Sequence, residues 1–147
     1  MVEESFTAGL LHDIGELILA SQLKTEYEAI RKLAETEGIS SIDAEFRVLG
    51  CSHAEVGAYL LATWGLPSRV VETVAWHHLP SSSPLQESYP LAAVHVAECV
   101  SHNLKALRSE DHLDIDYDFL ERCGFHERGA LLENAFRDLM INDGTEL

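Results

Sequence analysis

The chain has 147 residues, 46% of them apolar, and carries 25 acidic against 10 basic side chains, a formal net charge of −15. That length and composition fit one globular domain, residues 1–147, and disorder is not the default. A surface this acidic repels polyanions, and the Lys and Arg residues form no basic cluster, so neither nucleic acid nor an anionic membrane is an expected partner.

A first helix is predicted from Ser5 to Leu23, where Leu10, Ile14, Leu17 and Ile18 recur at helical spacing and Leu11 widens the stripe. The apolar pattern begins almost at the first residue, which suggests that a preceding part of the fold is missing. A second helix is predicted from Thr25, where Thr25 and Glu28 have capping-box spacing, to Gly38, with Tyr27, Ile30, Leu33 and Ala34 on its apolar face. A short third helix fits Ser41 to Leu49 and ends at Gly50. The fourth starts at Ser52, whose box with Glu55 makes His53 the first helical residue. Val56, Leu60, Leu61 and Trp64 mark its predicted buried side, and Gly65 closes it. Pro67 suits the first turn of a fifth helix, which carries Val70, Val71 and Val74 and ends near His77 and His78.

Residues 79–89 read as a loop. Pro90 opens a sixth helix that runs to about Leu107 along Leu91, Val94, Ala97 and Leu104. Two short helices follow, Phe119 to Cys123 and Glu127 to Ile141, and residues 79–89 and 109–117 are the expected mobile segments. No run alternates with β-branched enrichment, so the expected fold is all-α, a multi-helix bundle without a sheet. Cys51, Cys99 and Cys123 are odd in number and lie far apart, as reduced thiols of a cytoplasmic protein would. No apolar stretch is long enough to span a bilayer, and no signal peptide is visible.

Eight histidines are present, and His12, His53, His77, His78 and His95 fall on or beside the ends of these helices. Imidazole ligates borderline divalent metals, and a carboxylate such as Asp13 adds the negative charge a dication needs. Adjacent helical residues diverge by about 100°, so His12 and Asp13 share a site only if it lies over that edge of the helix. The plain alternative gives His53 a solvent-facing first turn and makes His77 and His78 partners of a helix dipole. His102, His112 and His126 take that plain reading.

The runs AGLLHDIGELILA, LGCSHAEVGAYLLATWGLPSRVVETVAWHH and LAAVHVAECV resemble an HDOD domain over about residues 5 to 105. This family is a branch of the HD metal-dependent phosphohydrolase superfamily, related to the HD-GYP cyclic-di-GMP phosphodiesterases. The resemblance implies a helical bundle of HD type that here lacks its N-terminal helices. It also implies a divalent transition metal (Fe, Mn or Zn) with His12, Asp13, His53, His77 and His78 as its candidate ligands.

This sequence departs from the active relatives at three places. Glu16 stands where HD-GYP enzymes have a Lys, His95 falls where they have an Asp ligand, and LPSSSP follows His78 in place of a GYP segment. Asp13 is then the one clear negative ligand, too little charge for two-metal phosphodiester hydrolysis. The expected function is a non-catalytic signal-transduction module with a vestigial metal site, partnered by another protein or a fused sensory domain. The alternative is a metal-dependent phosphohydrolase acting on a nucleotide or cyclic dinucleotide. A third reading is a structural helical fragment. The apolar residues on several faces of the first helix also lead to an expected homodimer, or a dependence on a separate N-terminal polypeptide, with that helix at the contact.

Overall fold

Helix ends form where side chains or glycines satisfy free backbone groups, and several such places were legible above. The computed structural model describes residues 2–85, 87–102 and 114–125. Among these, every regular element is helical: α1 (Val2–Leu11), α2 (Ile14–Gln22), α3 (Lys24–Glu37), α4 (Ser41–Leu49), α5 (His53–Thr63), α6 (Ser68–Trp76), a 3-10 helix (Pro80–Ser82), α7 (Tyr89–His102) and α8 (Tyr117–Arg122). The fold is all-α. At the start of α5 the Ser52 hydroxyl accepts from the Glu55 N–H at 3.2 Å, and the Glu55 carboxylate accepts from the Ser52 N–H at 2.9 Å, completing the predicted box. Gly38 and Gly50 end α3 and α4 in the left-handed conformation, with φ of 64° and 77°.

Several expectations are corrected. The predicted first helix is two, broken at His12 and Asp13. Asp13 leaves helical geometry with φ −98° and ψ 14°, and its carbonyl accepts from the Glu16 N–H at 2.9 Å to start α2 afresh. The Thr25–Glu28 box is absent, because a bend at Leu23 starts α3 at Lys24 and leaves Thr25 inside its first turn. Pro67 is the N-cap of α6 rather than a helical residue, its carbonyl accepting from the Val70 N–H at 2.9 Å. Trp64 is 61% exposed. The buried face of α5 is instead His53, Ala54, Gly57, Ala58 and Leu61. Leu10 and Leu17, placed in the buried stripe, are exposed. The predicted loop 79–89 also contains the 3-10 helix, and α8 starts two residues earlier than expected, at an Asp116 side chain that accepts from the Phe119 N–H. The helix expected at Glu127–Ile141, and the end of the sixth near Leu107, lie outside the described residues. Among the described residues no helix is long and apolar enough to cross a membrane.

Two apolar clusters hold the helices together. Ala8, Ala58, Leu61, Val70, Val74 and Val94 join α1, α5, α6 and α7. Leu91, Val96, Val100, Phe119 and Leu120 fix α8 on α7. Burial of these side chains is the main source of stability, about 1.5–3 kcal/mol for each large one.

α2 and α5 approach each other closely through glycine. A Cβ built on Gly15 would lie 1.9 Å from the His53 carbonyl oxygen and 2.8 Å from the Gly57 nitrogen. One built on Gly57 would meet the Gly15 nitrogen and the Ile14 side chain, each at 3.2 Å. These obstacles at Gly15 are backbone, so they cannot swing aside. Gly15→Ala should therefore destabilise the protein by about 3 kcal/mol or more, as severe overpacking does. Gly38→Ala meets no neighbour, and only its positive φ is strained, so it should cost about 1 kcal/mol. Urea unfolding of the two variants checks the order. A Gly15→Ala protein as stable as Gly38→Ala would refute the contact.

Candidate metal centre

The break between α1 and α2 solves the divergence that a continuous helix would impose on His12 and Asp13. Both side chains turn toward the N-terminus of α5, the C-terminus of α6 and the middle of α7. One donor atom from each of Asp13, His53, His77 and His78 lies within 4.8 Å of the others. His12, Asp13 and Glu98 form an adjoining set by the same measure. All five residues singled out from the sequence thus meet in one place, from three segments: the α1–α2 break, the start of α5 and the end of α6.

Three of the imidazoles are held so that Nε2 faces the cluster. The His12 Nδ1–H donates to the Gly9 carbonyl at 2.8 Å, and the His77 Nδ1–H to the Val74 carbonyl at 2.8 Å. The His53 Nδ1 lies 2.9 Å from both carboxylate oxygens of Glu45. A carbonyl or carboxylate only accepts, so these contacts set the tautomer and leave the opposite nitrogen for the site. The His78 Nε2 then lies 3.1 Å from the His53 Nε2. Asp13 sits among them, one oxygen 3.5 Å from His53 and 3.6 Å from His77, the other 3.3 Å from His12.

The His77 Nε2 decides whether these residues fit a metal. His77 is fully buried, and its Nε2 has no hydrogen-bond partner. A buried nitrogen lone pair without a donor is costly in a folded protein unless something else occupies it. Three imidazoles and a carboxylate are a donor set for a divalent transition ion. The residues fit.

Electrostatics support the same placement. Burial opposes ionisation of Asp13, but hydrogen bonds from His12 and then His53 outweigh it and hold the carboxyl far below the usual range. Hydrogen bonds to Asp13 and then Glu98, working against burial, raise His12 to about 10. His53 is raised to about 9: burial lowers it, and the bonds to Asp13 and Glu45 more than reverse that. His78 is pushed down to about 3, first by burial and then by repulsion from His77 and His53.

The solvent-facing first turn considered for His53 is not what the structure has, for His53 is buried. His95 is not the residue that stands in for a carboxylate ligand. Its Nδ1–H donates to the His77 carbonyl at 2.7 Å and its Nε2 accepts from the Asp116 N–H at 3.0 Å, so both nitrogens are committed to backbone. The carboxylate comes from Glu98, one turn further along α7, whose Oε2 lies 3.0 Å from the His12 Nε2. Glu45 and Glu98 are both buried, and neither was found from the sequence. Glu16 accepts from the Tyr27 hydroxyl at 2.6 Å.

The HDOD domain model matches residues 1–80, more than half of the chain. The chain belongs to the HDOD family. Two solved structures are similar to this HDOD chain. An HDOD domain protein with unknown function from Geobacter sulfurreducens is 26% identical with a TM-score of 0.63, over 92% of this chain and 47% of that one. A protein from Shewanella amazonensis SB2B, provisionally named a phosphohydrolase, is 21% identical with a TM-score of 0.64, over 97% and 51% of the two chains, and shows the shared fold. An uncharacterized protein of Treponema pallidum (strain Nichols) is 32% identical over 94 residues, 62% of this chain and 18% of its own length. The HDOD chain therefore spans about half of each solved relative and less than a fifth of the Treponema protein.

The raised His53 sets a pH dependence. Its protonated, doubly bonded form stabilises the metal-free protein fully below about pH 6.5, and that contribution is lost as pH rises through about 9. A metal needs the same Nε2 lone pair, so binding at neutral pH must expel that proton. Affinity for Zn(II) or Mn(II) should rise about tenfold per pH unit between pH 6.5 and 8.5 for each proton expelled. Titration against a chromophoric chelator at three pH values measures it. A flat profile would show that His53 does not ligate.

Proposed function

We propose that this HDOD chain is a regulatory binding module that keeps a divalent transition-metal site, held by Asp13, His53, His77 and His78. The buried, unpartnered His77 Nε2 is the observation that carries this reading. When bound, the ion supplies Lewis acidity and fixed positive charge at a site the protein otherwise fills with protons. The protein's own residues orient the donors: Gly9, Val74 and Glu45 hold three rings, and Asp13 offers an oxygen to each donor set.

The second reading, a metal-dependent phosphohydrolase, is favoured by Glu98, which adds to the adjoining set the negative charge that a second dication would need. Against it stand Glu16, a carboxylate held by Tyr27 where a phosphate-attracting Lys would be, and the absent GYP segment. Purified protein should contain close to one equivalent of Zn, Fe or Mn, lost in Asp13→Ala, and should not hydrolyse cyclic dinucleotides. Metal-dependent turnover abolished by Asp13→Ala would establish the second reading, and wild-type protein that takes up no metal would remove both.

We also propose that α1 is covered by a second copy of the chain. Val2, Phe6 and Leu10 recur every four residues along α1, and Phe6 and Leu10 are 72% and 73% exposed. Beside this ridge runs a furrow of about 280 Å³ between α1 and α7, walled by Ser5, Gly9, Ala93 and Ala97. Ridge and furrow lie side by side, so a two-fold axis would set each ridge in the other copy's furrow. Val2 is exposed as well, so α1 presents an apolar face that a partner copy would bury. Sedimentation at micromolar concentration should show a dimer that Phe6→Glu dissociates. A clean wild-type monomer, or capture of α1 by a separate polypeptide, would exclude this occupant.

A further inference from the structure

We propose that Glu45 is a positioning residue of the metal centre, and that α4 serves the site by carrying it. The inference rests on the metal-binding reading above. No donor of either cluster comes from α4, yet Glu45 on its buried side is almost fully shielded from solvent. A carboxylate is rarely taken that far out of water unless partners replace its hydration. Here both partners belong to one residue. The His53 backbone N–H donates to Glu45 Oε2 at 2.7 Å, and the His53 ring Nδ1 lies 2.9 Å from each oxygen.

The local sequence makes this grip possible. Ala44, fully buried, anchors α4, and Gly50 reverses the chain in the left-handed conformation. Ser52 then caps α5, and His53 becomes its first helical residue. Eight residues after Glu45 the chain returns to it with a helix N-terminus and an imidazole together. The free N–H of that first turn and the ring N–H point the same way, and one carboxylate takes both. The ring is thereby fixed in its Nδ1–H tautomer, and its Nε2 is directed at Asp13 and His78. A carboxylate behind a ligating histidine also makes the ligand more basic and so a better donor.

Two roles could account for the contact, a helix cap or a ligand brace, and they separate experimentally. Ser52→Ala removes capping bonds at the same helix end but leaves the Glu45 contact with the His53 ring. It should lower stability without changing the Zn(II) affinity of the folded protein. Glu45→Gln retains the size and one acceptor and should fold, with Zn(II) affinity weakened about tenfold. Glu45→Ala should weaken it about a hundredfold, the range known for such outer partners. In metal-free protein, long-range ¹⁵N–¹H correlation should show the His53 Nδ1–H in wild type and its loss or mixing in Glu45→Ala. If that variant does not fold, Glu45→Gln carries the test alone, with its fold checked by circular dichroism. Folded Glu45→Gln that binds Zn(II) as tightly as wild type, while Ser52→Ala and Glu45→Gln lose stability alike, would reduce Glu45 to a cap and overturn the proposal. Wild-type protein that binds no Zn(II) but shows the protonated His53 Nδ1 would sink the metal reading and leave the brace of the ring standing.

Discussion

The contact of Gly15 with the His53 carbonyl and the Gly57 nitrogen is the constraint on which the rest depends. It brings the backbones of α2 and α5 closer than any side chain would allow. Gly15 lies two residues after Asp13, and the atom it meets belongs to His53 itself. The helix crossing therefore fixes the separation of two donors directly, with no chain of flexible side chains between them. The other flank of α5 is equally spare: Ala54, Ala58 and Leu61 are buried, and Val74 of α6 packs against Gly57. That draws in the end of α6, where His77 and His78 stand. A narrow α5 thus converts helix packing into donor geometry. It also explains why Trp64, too large for such a face, lies outside.

Packing alone would gather imidazoles that repel one another once protonated. The structure resolves this with unequal environments. Asp13 and Glu45 hold His53 in its charged form, while His78 beside it is kept neutral and accepts from it. Protons thus occupy the positions at which the proposed metal site would place an ion. An ion taken up there would have to displace these protons, so its affinity would be set by competition between ion and proton.

Much of this was legible in the sequence, and the residues that were not legible share a reason. Ser52 with Glu55, Gly38 and Gly50 are local signals: each acts on backbone groups within four residues, so spacing suffices to read them. The five metal candidates came from the resemblance to the HDOD family, because pairs such as His12 with Asp13 and His77 with His78 are by themselves a weak signal. The break after Leu11 was missed because Ile14, Leu17 and Ile18 continue the apolar period across it. Beyond the break Gly15 packs directly on α5, a tertiary contact that local spacing does not reveal. Glu45 and Glu98 were missed because they are two among 25 acidic residues, and only burial distinguishes them. Taking His95 as the position of the relatives' Asp ligand left Glu98, one helical turn further along α7, unnoticed. At that distance in sequence nothing local says which side chain faces His12.

Glu98 changes how the two functional readings weigh against each other. From the sequence, catalysis was disfavoured because Asp13 was the one negative ligand, and that argument no longer holds. What remains is the charge an anionic substrate would meet. A cleft of about 340 Å³ opens beside His78 and Glu98, with Ser40, Ser41 and Asp114 on its walls and no Lys or Arg among the described residues that line it. Approach from outside is through the field of a chain with net charge −15, which salt screens only beyond about 8–10 Å. A phosphate ester in this cleft would find positive charge only in the bound ions themselves. A cation meets the opposite: the long-range field attracts it, and Asp13 waits at the end of the path. These electrostatics favour a site whose ligand is the ion, as a regulatory module would use it, over one whose ligand is an anion.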